Sequence, residues 1–407
     1  MRAFDVLIPD GETLTTLPIL RSLARKNVDV SIAVSSKNAL SFYSKYCRNK
    51  IWCPSPREKT ELFLKVLHKI IEKAYFEMLL PVGDCALVPL SENREKLPPH
   101  IKLPLATKEA IRTAFNKTLT LKLAIANEVP IPKTFFVKNM RDLRKASKEV
   151  SYPAVIKPNQ SWVWGGDTAY HGRARYVDTP QSLISIYKSM HARFPFPIIQ
   201  EYIPGITYSV GVLCNHSKLR AICCIKQHRT VPVSGGWATL RETVKLDQRM
   251  KEYTLRLMKA LNWHGVAEVE FKLDSRDSTP KLMEINGRFW GSTELAIVSG
   301  VDFPYLLYRM EVDGDVNPVV NYRVGIKRRW LQGDLERLLT LLTYSINSSE
   351  HVENFQKTRE ILHFLKFVGE SYDSLYLDDP APFLMSLMSS VVGFSTTLLR
   401  SRFKKVS

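Results

Sequence analysis

The sequence predicts a mixed α/β and α+β protein: a small Rossmann-like α/β unit at the N-terminus, a larger α+β unit behind it, and a mostly helical C-terminal extension. Three observations carry this reading. Short apolar strands alternate with helical patterns through the first 105 residues, as in a parallel sheet. An antiparallel hairpin with one polar face falls between 265 and 288. Helical periodicity prevails after about residue 320.

Composition bounds the possibilities. The 407 residues are enough for two or three domains with real cores, and 45% hydrophobic with 24% charged is a globular composition. The net charge of +18 favours anionic partners, but the basic residues are scattered. No nucleic-acid motif is present, so no nucleic-acid partner is expected. The six cysteines form no Cys-x-x-Cys pair or zinc spacing, as expected for reduced, mostly buried thiols. Met1-Arg2-Ala3 leads straight into a strand without a signal-peptide pattern, and a cytoplasmic setting is expected.

In the N-terminal unit, strands are predicted at Phe4–Pro9, Val28–Val34 and Met78–Val82, with helices at Thr15–Lys26 and Phe63–Phe76. No Gly-x-Gly-x-x-Gly follows the first strand, which excludes a standard dinucleotide site. Asp10 and Asp84 lie past strand ends, where such sheets bind ligands, and are read first as turn residues. A Pro-rich linker, 97–104, leads to a helix at Lys108–Glu128, within which Asn116-Lys117 opens the helix Thr118–Ala126, then a strand at Thr134–Val137, a helix at Met140–Val150 and a strand at Tyr152–Lys157. Beyond 320, helices are expected at Asp334–Tyr344 and Glu353–Val368. The uncharged stretch Pro380–Leu399 is followed by Arg400, Arg402, Lys404 and Lys405. Its hydroxyl residues and Gly393 argue against a membrane span. It is read as a helix packed on the protein, with peripheral contact of 380–405 with anionic lipid as the alternative.

The chemistry concentrates in the hairpin. Gly265–Asp274 and Leu282–Gly291 flank a polar turn, and side chains two apart on a strand share a face. Glu284, Asn286 and Arg288 therefore point one way, with Glu270 able to face them. Two carboxylates and an amide oxygen make a hard oxygen site suited to Mg²⁺ carrying nucleotide phosphates, and Arg288 would balance phosphate charge. Upstream, Lys157 ends an apolar strand, where a lysine must find a partner or a ligand. After it, Gly165 and Gly166 permit close backbone approach to phosphate.

This constellation resembles the ATP-grasp superfamily, whose pattern is an acidic residue on one strand and Glu-x-Asn-x-Arg on the next. Glu270, Glu284, Asn286 and Arg288 fit it; Gly287 stands where members often have Pro. The resemblance spans Asn116 to Arg288 in the family's order. It implies a pre-ATP-grasp domain at 1–105, an ATP-grasp domain at 106–320 and a C-terminal helical extension at 321–407. It implies that Lys117 and Lys157 grip ATP phosphates, and that Glu270, Glu284 and Asn286 hold Mg²⁺, with Mn²⁺ as an alternative. It makes 201–205 the hinge, with Glu201 facing ribose or the adenine amino group and the backbone of Tyr202 and Ile203 bonding the adenine edge.

The implied reaction activates a carboxylate as an acyl phosphate and condenses it with an amine, with Arg288 and Lys157 as the catalytic residues. In 228–242, Arg229 or Arg241 could receive the substrate carboxylate, and Glu242 could orient an amine or bond ribose. Arg-x-x-Pro-x-x-Gly-Gly, Glu-Ile-Asn-x-Arg-Phe-Trp-Gly-Ser and Asp-Asp-Pro-Ala-Pro resemble carbamoyl-phosphate-synthase-like predicted carboxylate–amine ligases associated with cell-surface polysaccharide assembly. An ATP-grasp kinase and a non-catalytic nucleotide-binding module stay open as alternatives.

Overall fold

The computed structural model describes residues 3–233, 235–343, 362, 364–365 and 369–388. The first 79 residues hold strands β1 (Ala3–Ile8), β2 (Val30–Val34), β3 (Asn49–Trp52) and β4 (Tyr75–Leu79) in a parallel sheet of order β3-β2-β1-β4. Helices α1 (Thr16–Ala24), α2 (Thr60–Lys73) and α3 (Asp84–Glu92) surround it. Both faces of β1 are buried: Val6 and Ile8 pack with Ile19 and Leu23 of α1, and Leu7 packs with Phe63 and Leu67 of α2. Strand β3 was not legible in the sequence, because it is a short edge strand whose half-buried and exposed residues alternate. Strand β4 begins before the expected Met78, because α2 ends at Lys73 and Ala74 is already extended.

The helical span Lys108–Glu128 divides where Asn116-Lys117 was expected to open a helix, into α4 (Lys108–Phe115) and α5 (Lys117–Ala126). Asn116 breaks it with extended backbone, and its side chain caps α5 by accepting from the Leu119 N–H at 3.0 Å. This cap puts Lys117 at the first position of α5.

A second sheet contains β5 (Thr134–Phe136), β6 (Ala154–Lys157), β9 (Arg175–Val177) and β10 (Ile198–Glu201) in the order β5-β10-β6-β9, packed by α6 (Met140–Glu149) and α7 (Pro180–His191). Strands β7 (Trp162–Gly165) and β8 (Thr168–His171) form a separate hairpin. The largest sheet runs β15-β14-β11-β12-β13-β16-β17. Its strands are β11 (Gly205–Asn215), β12 (Lys218–Val231), β13 (Trp237–Thr243), β14 (Gly265–Asp274), β15 (Pro280–Asn286), β16 (Lys327–Arg329) and β17 (Ser371–Tyr372). Helix α8 (Gln248–Ala260) covers one face with α4. On the other face, α9 (Thr293–Ser299) and α10 (Phe303–Asp313) join Leu213, Cys223 and Trp290 to the α1 side of the N-terminal sheet in one core.

The extension beyond 320 is not purely helical. Helix α11 (Leu331–Thr343) matches the expected Asp334–Tyr344, but β16 and β17 extend the large sheet. Asp379 then ties this segment to α1 through a buried ion pair with Arg21 at 2.8 Å. The expected helix at 353–368 and most of the tail helix lie outside the described residues. Among the described residues, no helix is long and apolar enough to cross a membrane.

Candidate active site

The large sheet sets out the acidic residues by register. Glu284 pairs with Glu270, which pairs with Ser209; Asn286 pairs with Glu268, which pairs with Gly211. Residues opposite one another share a face, so Glu268, Glu270, Glu284 and Asn286 form one patch. Asn286 Nδ2 donates to Glu268 Oε2 at 3.0 Å and lies 3.5 Å from Glu284 Oε1. Gln227 Nε2 reaches Glu270 Oε2 at 3.3 Å and Ser209 Oγ at 3.1 Å.

Two lysines approach this patch from different elements. Lys117 Nζ, at the start of α5, lies 3.1 Å from Glu284 Oε2 and donates to Ser161 Oγ at 3.0 Å. Asn159 holds that helix start in place. Its carbonyl accepts from the Lys117 N–H at 2.8 Å, and its Oδ1 accepts from the Thr118 N–H at 2.9 Å. Lys157 ends β6, and Glu284 and Glu270 both act on its charge.

The charges are mutually dependent. Burial pulls the Lys157 ammonium down to about 8, against the attraction of Glu284. Glu284 is held below the usual carboxylate range, first by Lys117 and then by Lys157. Glu270 is pushed the other way by burial and by Glu284 and Glu268 beside it. Glu268 is raised chiefly by burial. Three crowded carboxylates with two lysines at their edge want further positive charge.

Arg288 lies just beyond the end of β15. Its Nη2 lies 3.4 Å from Asn286 Oδ1, and its Nη1 donates to the Phe289 carbonyl at 2.9 Å. Its Nε pairs with Asp84, the first residue of α3. Reading Asp84 as a turn residue missed this contact. Asp10 does act as a local anchor: its carboxylate accepts from the Val82 and Gly83 N–H groups at 3.0 and 2.5 Å.

Other expected residues fall at different distances from the patch. Gly165 and Gly166 make the tip of the β7–β8 hairpin, with Gly166 in the left-handed region (φ 63°). The hairpin rests on the start of α2: the Asp167 carbonyl accepts from the Thr60 N–H at 3.1 Å, and Trp164 Nε1 donates to Thr60 Oγ1 at 3.1 Å. Glu201 ends β10, where its carboxylate accepts from the Lys133 N–H at 2.8 Å and from Arg276 at 3.0 Å. Tyr202 meets Tyr176 edge to face at 5.9 Å, with the Lys272 ammonium 4.7 Å from its ring centre. Ile203 is buried at the same turn.

Glu242 is not brought to the patch. It pairs with Lys226, which pairs with Tyr208, while the Glu284–Glu270–Ser209 row continues to Ile225 and Thr243. The one-residue offset turns Glu242 to the opposite face, where its carboxylate meets His228 Nε2 at 2.7 Å. The two arginines read as carboxylate ligands are also engaged. Arg229 pairs with Asp334 at 2.6 Å, and Arg241 pairs with Asp373 and donates to the Gly291 carbonyl at 2.9 Å.

Sequence reasoning missed Glu268 and placed Asp84 past a strand end without its partner. Glu268 carried a signal, since it precedes Glu270 by two and so shares its face. Asp84 carried only its place past a strand end. As a cation site, the patch offers Glu270, Glu284 and the Asn286 amide oxygen, a donor set that fits a hard divalent ion. Among the described residues, no group of three or more His, Cys, Asp or Glu is arranged to hold a metal alone.

Comparison with known proteins finds similar sequences and folds. Residues 193–333 match a family described as ATP-grasp in the biosynthetic pathway with Ter operon. The chain is 22% identical over 222 residues to a D-alanine–D-alanine ligase of Desulforamulus reducens, covering 48% of this chain and 68% of that protein. It is 20% identical over 268 residues to a D-aspartate ligase of Enterococcus faecium, covering 60% of this chain and 62% of that protein. Among solved structures, a biotin carboxylase of Campylobacter jejuni superposes with a TM-score of 0.64 at 18% identity, covering 79% of this chain and 74% of that one.

Proposed function

On the ATP-grasp fold that this chain adopts, we propose an ATP- and Mg²⁺-dependent ligase that activates a carboxylate as an acyl phosphate and condenses it with an amine. One observation carries the reading. Lys117, Lys157, Glu270, Glu284, Asn286 and Arg288, from four separate segments, converge on one face of the large sheet. Similarity to D-alanine–D-alanine and D-aspartate ligases supports the reaction class.

In this reading Lys117 and Lys157 bind phosphate oxygens. Glu270, Glu284 and Asn286 would hold Mg²⁺, or Mn²⁺ in its place, and the ion when bound would neutralise phosphate charge. Arg288 steadies the phosphoryl group during transfer. The turn at Glu201, Tyr202 and Ile203 receives the adenine, and the β7–β8 hairpin with Gly165 and Gly166 covers the phosphates. These roles need no covalent nucleophile, because positioning and charge stabilisation suffice.

The carboxylate substrate is proposed to be a sugar acid or related metabolite of cell-surface assembly, on the strength of the motif resemblance. A cytoplasmic setting with peripheral membrane contact through 380–405 belongs to the same proposal. Leu384 and Met388 are exposed apolar residues on helical positions 381–388; the rest of that segment lies outside the described residues. The deciding experiment screens carboxylate and amine pairs for ADP release, with mass spectrometry of the products. An amide product supports the ligase reading. A phosphorylated product without condensation replaces it with a kinase, and nucleotide binding without turnover replaces it with a binding module.

A further inference from the structure

Asp84, an acidic side chain of the N-terminal sheet unit, pairs with Arg288 of the candidate site. It opens α3, and its Oδ1 takes the Nε–H of Arg288, 204 positions along the chain. The Asp84 side chain is 10% exposed, and among the described residues the hydrogen bond to it comes from Arg288 to Oδ1, not Oδ2. Arg288 is held by three separate acceptors: Asp84 by Nε, the Phe289 carbonyl by Nη1 and Asn286 by Nη2. At the base of the β7–β8 hairpin, the Trp162 and His171 rings meet at a tilt of 53° with centres 4.8 Å apart, and Arg57 lies 5.4 Å from the Trp162 ring centre. His171 lies within electrostatic reach of Asp84, Lys117 and Arg57. Asp84 thus sits where the N-terminal unit, the hairpin and Arg288 meet.

We propose that Asp84 is the recognition site for the amine substrate: Oδ1 positions Arg288, and Oδ2 receives the ammonium group of the incoming amine. The inference rests on the ligase reading above. Arg288 is assigned to the phosphoryl group on the activated carboxylate, so the nucleophile must arrive beside Arg288. A carboxylate that is nine-tenths buried needs compensating positive charge. Arg288 must share its own charge with the phosphoryl group, and an ammonium ion restores the balance. The step is conservative in atoms and charge. The ammonium gives one proton to Asp84, and its nitrogen lone pair attacks the acyl carbon. The C–N bond forms and the C–O bond to phosphate breaks. Phosphate leaves with the electron pair, and a second nitrogen proton passes to it. Substrates of this class are primary amines that are cationic in water, such as amino acids or amino sugars, and not amides or ammonia surrogates without charge.

The test uses the full chain with ATP, Mg²⁺ and a carboxylate pool of L- and D-amino acids and uronic acids. Two nucleophiles are compared: hydroxylamine, which is largely uncharged above neutral pH and traps acyl phosphates as hydroxamates, and a pool of amino acids and amino sugars. In Asp84→Asn both products fall, because Arg288 is less well held. The ratio of amide to hydroxamate is expected to fall about tenfold or more, because only the charged amine loses its partner. Asp84→Glu keeps the charge and recovers part of that ratio. Melting temperature and calorimetry with a non-hydrolysable ATP analogue establish that the Asn variant is folded and binds nucleotide. An unchanged ratio overturns the inference and leaves Asp84 as a support for Arg288 alone. Normal yields of both products overturn it as well, making the pair a simple inter-unit contact. If the unaltered protein forms neither hydroxamate nor amide, the ligase reading itself fails, and this inference with it.

Discussion

Lys117 Nζ lies 3.1 Å from Glu284 Oε2. The lysine assigned to phosphate and the carboxylate assigned to the metal therefore neutralise one another across α5 and β15. Magnesium nucleotide would exchange this one contact for two, a phosphate on the lysine and a cation on the carboxylate. The pair keeps two half-buried charges satisfied while both stay within reach of a ligand.

Glu284→Gln should fold, because the amide keeps the shape, yet lose about 10²–10³ in ATP turnover, the usual cost of one charge-stabilising contact. Coupled-assay measurement of ADP release, with circular dichroism as a fold control, checks it. Near-normal turnover in a folded variant would sink the metal assignment.

Lys157→Ala and Arg288→Ala should separate binding from chemistry. The lysine variant loses affinity for a non-hydrolysable ATP analogue. The arginine variant loses turnover more than affinity, since its charge acts on the phosphoryl group in transfer. Calorimetry on both proteins decides, and equal losses of binding would refute the role given to Arg288.

Nucleotide binding near pH 8 should take up protons. Burial pulls Lys157 down to about 8, so a large fraction of it is neutral there. An incoming phosphate favours the charged form and raises the lysine's proton affinity, so the complex holds more protons than the free protein. Affinity therefore declines as pH rises above 8. Titrations in buffers of different ionisation enthalpy measure the uptake, and Lys157→Met should abolish it.

Asp379→Ala should destabilise the fold by about 3–5 kcal/mol, because it leaves the Arg21 guanidinium buried without its carboxylate. Asp379 also accepts from Ser44 Oγ at 2.7 Å and from the Lys45 N–H at 2.9 Å, so one side chain fastens the C-terminal segment to the N-terminal unit. Urea unfolding measures the loss. A change below about 1 kcal/mol, the range of exposed pairs, would show that the pair contributes little.

Gly211→Ala should cost about 1–3 kcal/mol by overpacking. A Cβ on Gly211 would lie in steric clash with Trp290 Cζ2, and Trp290 is 1% exposed against the same core. Thermal unfolding and tryptophan fluorescence should shift together. If stability were unchanged, the ring would have room to move, contrary to the close packing seen here.

The hairpin was legible because its information is local. Alternation in 265–274 and 280–286 fixes which side chains share a face, and the polar turn fixes that the strands are neighbours. The helix start at Asn116-Lys117 was also legible, although the wider periodicity over 108–128 ran across it; the cap geometry adds that Asn116 is extended and so aims Lys117. The side of the sheet that Glu242 takes was not legible because nothing in 228–242 states the register; a shift of one residue separates it from Thr243, which lies on the row of Glu284.

The sequence by itself determined the acidic face, the lysine ending an apolar strand and the order of nucleotide-binding segments, because each follows from a period of two residues or a short motif. Tertiary structure alone decided that Asp84 holds Arg288, that Lys117 meets Glu284, and that 371–372 closes the large sheet rather than adding another helix. These contacts join residues far apart in the chain. They are settled by which apolar faces pack in the shared core, and a buried charge then takes whatever opposite charge that packing brings within reach.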